Sequence, residues 1–258
     1  MRKIIRKGFS FSVLLVVMVL LFTTVYAEGS PGYNTFECQE LAVKNSRQAL
    51  ADDLQIKAKE SALRKAEEDK YKAGPGYSPS QALENKIWIE VKPFKAEAEL
   101  EAAKRTKEDN IKTLELDVYK TVLHILLANE EMSLESEKLS ILTEKCRIAK
   151  AKYDIDVITE NELHDIEHSV EIKKNDIESI KDKLKSYDLE LKRLMNLPFE
   201  GELIKIRSGI QYMQLKAANI DEAVKEAIKN STEVFIKGNE FEAMEITMKW
   251  TKEYLPEG

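Results

Sequence analysis

Between Leu163 and Leu194 an apolar residue recurs every seven positions, and a chain with that spacing has few ways to fold. Leu163, Val170, Ile177, Leu184 and Leu191 form one row, and Ile166, Lys173, Ile180, Tyr187 and Leu194 form the other. Nine of these ten positions are apolar, so the segment carries a narrow apolar seam that only a second helix can cover. The pattern predicts a coiled-coil helix of about 55 Å at the usual rise per residue. Pro198 and Gly201 stop it.

The partner precedes it. From Pro93 to about Tyr153 apolar residues fall at threes and fours or their sums: Leu100, Ala103, Ile111, Leu114, Val118, Val122, Ile125, Met132, Leu139, Leu142, Ala149 and Tyr153. That is a rod of roughly 90 Å, longer than an ordinary globular domain needs. Only Asp154 to Thr159 separates the two segments, which makes them antiparallel neighbours. Upstream, Phe36 to Lys72 reads as one further helix, and Ala73 to Pro79 is the densest cluster of breakers. Lys86 to Lys92 alternates, with Ile87, Ile89 and Val91 on one face, and is the one strand candidate, ended by Pro93. A third of the residues are charged, with 9 Gly, 6 Pro and 7% aromatics, as long helices require. The fold class is therefore all-α: a long antiparallel coiled-coil helical hairpin with additional flanking long helices and little or no β structure.

The amino terminus fixes a compartment. Arg2, Lys3, Arg6 and Lys7 precede an apolar run from Val13 to Phe22, and Val25-Tyr26-Ala27 offers a signal-peptidase site. Residues 1–27 read as a signal peptide, and an uncleaved anchor is the other reading of the same run. Export places the chain in the cell envelope, in the outer membrane or the periplasm. Without residues 1–27 the formal charge moves from −6 to −10, which excludes nucleic acid as a partner because phosphates need a basic footprint. Cys38 and Cys146 match no metal-ligand spacing. They either pair or stay as thiols, and Cys38 falls on an apolar helical position.

The chain also repeats itself. Asn34, Glu37, Ala42, Lys44, Asn45 and Ser46 recur as Asn219, Glu222, Ala227, Lys229, Asn230 and Ser231, all at an offset of 185. The expected organisation is a first repeat over 34–197, a linker over 198–218 and the start of a second repeat over 219–258.

Three stretches carry a resemblance to a known family. Phe36 to Ser46 and Asp221 to Ser231 resemble the segment that opens each repeat of the TolC-like outer-membrane efflux family. Asp117-Val118-Tyr119 through Ala128 resembles its long helix, and Tyr153 to Thr159 resembles its hairpin tip, Tyr-x-x-Gly-x-x-Thr/Ser. Tyr254-Leu255-Pro256 is similar to the point where a helix of that family hands over to barrel strands. The resemblance implies a trimeric homo-oligomer, a duct that passes substrates from an inner-membrane pump through a periplasmic adaptor, associated with the membrane and doing no covalent chemistry. The adaptor would dock at the tip, on Tyr153, Ile155, Asp156, Val157 and Thr159. Neither a catalytic residue nor a cofactor or metal site is implied.

The chain departs from the family in three ways. The second repeat has only begun, Asp156 stands where the tip Gly is expected, and about twenty residues over 73–92 leave little room for two membrane strands. Asp tolerates the left-handed backbone better than most residues, so the turn survives the exchange. An exported coiled-coil scaffold or adaptor without transport activity is the alternative reading. His164-x-x-Glu167-His168 fits a zinc-peptidase pattern, but the heptad frame puts both imidazoles on the outer surface. Lys173, at the seam, either sets register or extends its ammonium into solvent. Trp88 is either a membrane-interface anchor or an aromatic packed under a loop.

Overall fold

A computed structural model describes residues 32–207 and 219–255. Residues 1–27, expected to be a signal peptide, most of the linker expected over 198–218, and Pro256 lie outside them. Among the described residues six helices account for the fold, and there is no strand. α1 (Thr35–Asn45) and α2 (Arg47–Lys70) precede α3, a 75-residue helix over 79–153. α4 (Glu160–Leu194) folds back along α3, and α5 (Ile220–Asn230) and α6 (Thr232–Tyr254) follow. The all-α hairpin with flanking helices is the observed architecture.

α3 is the spine, about 110 Å long. Its carboxy-terminal half pairs with α4, the most extensive packing in the molecule. Every one of the ten heptad positions on α4 is buried or half-buried, because each meets the matching stripe on α3. α1 closes the base of this hairpin: Cys38 and Ala42 pack with Val118, Val122, Leu191 and Met195 in one apolar cluster. The amino-terminal half of α3 is covered instead by α2 and α6, both running antiparallel to it. Asn110 donates to Asp52 at 2.9 Å and Lys59 pairs with Glu99 at 2.7 Å on one side. Thr232 donates to Asp109 at 2.6 Å and the Trp250 indole to Glu90 at 2.8 Å on the other.

The strand candidate is helix. Residues Ile87–Val91 form a π-helical turn inside α3, and the amide of Lys92 donates to the carbonyl of Ile87, five residues back. Pro93 explains it. Proline has no amide to donate and its ring crowds the carbonyl four residues earlier, and a widened turn absorbs both defects without ending the helix. A lone strand here would also have no ladder to join.

The first helix is not continuous from Phe36 to Lys72 either. Ser46 adopts an extended conformation, φ −67° and ψ 118°, and its hydroxyl accepts from the amide of Ala49 to start α2. Serine competes with the helix for its own backbone, which is why it interrupts here. Asn45 anchors the break to the hairpin base by donating to the carbonyl of Met195 at 3.0 Å. Ser231 repeats this geometry, with φ −68° and ψ 119° and its hydroxyl accepting from Val234, so α1/α2 and α5/α6 share one backbone pattern at an offset of 185.

The chain's entry to the hairpin and its exit lie side by side. The Tyr33 amide donates to Lys205 at 2.7 Å and the Arg207 amide donates to Tyr33 at 2.8 Å, an isolated parallel bridge. Arg207 also pairs with Glu37 at 2.9 Å. The exit segment is fastened to α4 by a buried ion pair: Lys192 meets Asp188 at 2.8 Å and the Glu202 carbonyl at 3.0 Å, while the Ile204 amide donates to Asp188 at 2.7 Å.

Candidate functional site: the hairpin tip

Two capping motifs shape the turn between α3 and α4. At the end of α3 the Val157 amide donates to Lys152 and the Asp156 amide to Tyr153, both at 2.9 Å, the paired bonds of a Schellman cap. That cap needs a left-handed residue, and Asp156 takes it with φ 56°. The base of α4 ends the same way on Asn196, with φ 51°. Asp and Asn thus stand where glycine is the usual choice, because their short polar side chains tolerate this conformation. Replacing Asp156 by Val is expected to cost about 1–2 kcal/mol of hairpin stability in urea unfolding, whereas Asp156→Gly is neutral within about 1 kcal/mol.

α4 starts with a capping box. Thr159 accepts from the Glu162 amide at 3.3 Å, and the Glu162 carboxylate accepts from the Thr159 amide at 2.8 Å. The bond from the Thr159 amide, and after it the Thr159 hydroxyl donating to the same carboxylate at 2.9 Å, hold the Glu162 carboxyl below its ordinary pKa. Its contribution is therefore present above the ordinary carboxylate range and is lost as pH falls through the lowered value.

The turn thereby gathers the residues expected to receive an adaptor. Tyr153, Ile155 and Val157 are 39%, 68% and 60% exposed, and Asp156 and Thr159 are exposed between them. Three apolar side chains held out on a rigid turn among the carboxylates of Asp154, Asp156 and Glu160 form a small apolar-acidic face.

The other singled-out residues lie elsewhere. His164 is exposed, 3.4 Å from Glu167 and 3.7 Å from Glu160, and Glu167 is held across the hairpin by Lys150 at 3.0 Å. The ion pair with Lys150 is the main reason its carboxyl titrates low. Among the described residues no three His, Cys, Asp or Glu are grouped to hold a metal. Lys173 does not extend its ammonium into solvent: it crosses the seam to Glu135 on α3 at 2.7 Å and also meets Asp176 at 2.7 Å. A carboxylate on the facing helix offers the charge a partner within reach of the stem, so the side chain spans the seam. Trp88 is half-buried, with the Lys92 ammonium 3.0 Å from its ring centroid.

The two cysteines do not meet. Cys38 is buried at the hairpin base near Val118, and Cys146 lies 28 residues farther along α3, about 40 Å away, far beyond disulfide reach. Burial raises the Cys38 thiol to about 11, with the Glu37 charge adding to the effect. Thiol labelling at pH 8 is expected to modify Cys146 first and Cys38 only on unfolding.

No protein-family model, curated protein or solved structure matches the chain. The tip is thus read from its own geometry. The same helix carries a second feature that a reading confined to the hairpin seam passes over: Leu127, Leu134, Ile141 and Ile148 form an exposed row on the outer face of α3. Their seven-residue interval was the signal in the sequence.

Proposed function

We propose that the chain is a component of a trans-envelope export duct of the kind built by TolC-like proteins, with the hairpin tip serving as the docking face for a periplasmic adaptor. The observation that carries this reading is the recurrence of one backbone pattern, helix, extended Ser, helix, at 34–46 and 219–231, one long hairpin apart. In the first copy the helix face at Cys38 and Ala42 is buried on the hairpin base. In the second copy the matching positions, Ala223 and Ala227, are exposed, together with Ile220, Val224 and Ile228. A second hairpin of the same kind is what that face fits. Copies of the protein supply the duct's helical wall, three subunits by the resemblance, and an inner-membrane pump supplies the energy. Among the described residues no helix is long and apolar enough to cross a membrane.

The exported-scaffold reading is favoured by one observation, the outer apolar row on α3, which a rod that bundles with others would also carry. Complementation separates the two. Cells lacking the protein are expected to become sensitive to toxic compounds, with tolerance restored by the wild type and not by Ile155→Asp with Val157→Asp at equal protein level and helix content. Restoration by the tip variant would remove the docking role, and unchanged tolerance on loss of the protein would remove the duct reading.

A further inference from the structure

The outer face of α3 is charged in an ordered way. Leu127, Leu134, Ile141 and Ile148 are 57%, 52%, 52% and 42% exposed and stand seven residues apart, facing away from α4. Residues three and four positions along a helix lie on either side of a given side chain. Three positions after each of the first three members stand Glu130, Glu137 and Glu144, and four positions after each of the last three stand Lys138, Lys145 and Lys152. Glu131, four positions after Leu127, opens the second column, so it is from Leu134 onward that the apolar row is bordered by an acidic column on one side and a basic column on the other. Glu130, Glu137, Lys145 and Lys152 have no ion-pair partner among the described residues, whereas Lys138 and Glu144 pair along the helix with Glu135 and Arg147.

We propose that this face pairs with the same face of a second copy of the chain, with the two rods parallel. The bordering charges decide the orientation. A two-fold axis along the rods sets the acidic column of each copy against the basic column of the other. An antiparallel pair would set acid on acid and base on base, and like charges in apposition are costly. A single row buries less than the about 800 Å² per partner of a standard interface, so pairing depends on concentration. The parallel arrangement brings two tips to the same end, where one adaptor surface would meet both. The pairing stands on the α3 face alone and does not rest on the duct reading.

The test uses the chain carrying Cys38→Ala and Cys146→Ala, with one new cysteine at a time. Leu134→Cys and Ile148→Cys are each expected to close a disulfide between copies under mild oxidation, above a Ser179→Cys control on the exposed side of α4. Mixtures of the two should form no 134–148 link. Predominant 134–148 links would reverse the orientation, and links no stronger than the control would overturn the pairing. Charge variants on exposed positions give a second readout. Glu137→Lys with Glu144→Lys makes both borders basic and should weaken self-pairing about tenfold or more. Mixing it with Lys145→Glu plus Lys152→Glu should restore pairs between the two variants, and absence of that rescue would also overturn the proposal. Because pairing is read on purified protein, its loss with transport intact removes only the pairing, and pairing without transport removes only the duct.

Discussion

Replacing Lys192 by Met is expected to destabilise the hairpin base by about 3 kcal/mol, the cost typical of breaking a buried ion pair from one side. Asp188 and Lys192 are both buried, and each also holds the returning segment, through the Ile204 amide and the Glu202 carbonyl. With the ammonium gone, the Asp188 carboxylate is left in an apolar surround with a single amide as partner. The double variant Asp188→Leu with Lys192→Met removes the stranded charge, so it should be less destabilised than the two single variants sum to. Urea unfolding of the four proteins gives the coupling directly. Strict additivity would mean that the two side chains do not act on one another, contrary to their 2.8 Å separation.

Leu191→Ala is expected to cost about 3 kcal/mol as well, by a different route. Its side chain is fully buried where α4, α1 and α3 meet, against Cys38, Val118, Val122 and Met195. Truncation loses the transfer energy of the removed carbons and leaves a cavity whose walls belong to three helices, which limits their collapse. The urea midpoint should fall by about 1 M, given a slope of a few kcal/mol per molar for a chain of this size. The same change at Leu189, exposed on the opposite side of α4, should shift it by less than about 0.3 M. Equal shifts at the two sites would contradict the packing described for the base.

The hairpin was legible because its signal is redundant. Ten seam positions on α4 and a matching stripe on α3 each specify the same face, so one exception, Lys173, leaves the register clear. The π-turn was not legible in that way. Ile87, Ile89 and Val91 alternate as a strand would, and only the tertiary setting, a helix continuing on both sides of Pro93, decides against it. The break at Ser46 left a trace in the sequence, since Asn-Ser recurs at 230–231, but the hydrogen bond from Asn45 to Met195 joins residues 150 apart and no local pattern announces it. Lys173 shows the same limit: of its two carboxylate partners, Glu135 lies on the other helix, at a register known only once the hairpin is built. The tip was readable through the resemblance, which puts a glycine where Asp156 stands, and Asp156 takes the left-handed backbone a glycine would take there. The exposure of Tyr153, Ile155 and Val157 could not be read from the sequence, because it depends on how the turn is capped.

The central claim is that this rod takes part in moving compounds out of the cell. The most direct measurement is the rate at which cells preloaded with a fluorescent efflux substrate lose it, with and without the protein. Slower release in its absence, restored by the wild-type chain and not by the tip variant, is the result this account predicts. Release at the same rate in both strains, with envelope integrity unchanged, would contradict it and leave the protein as a scaffold.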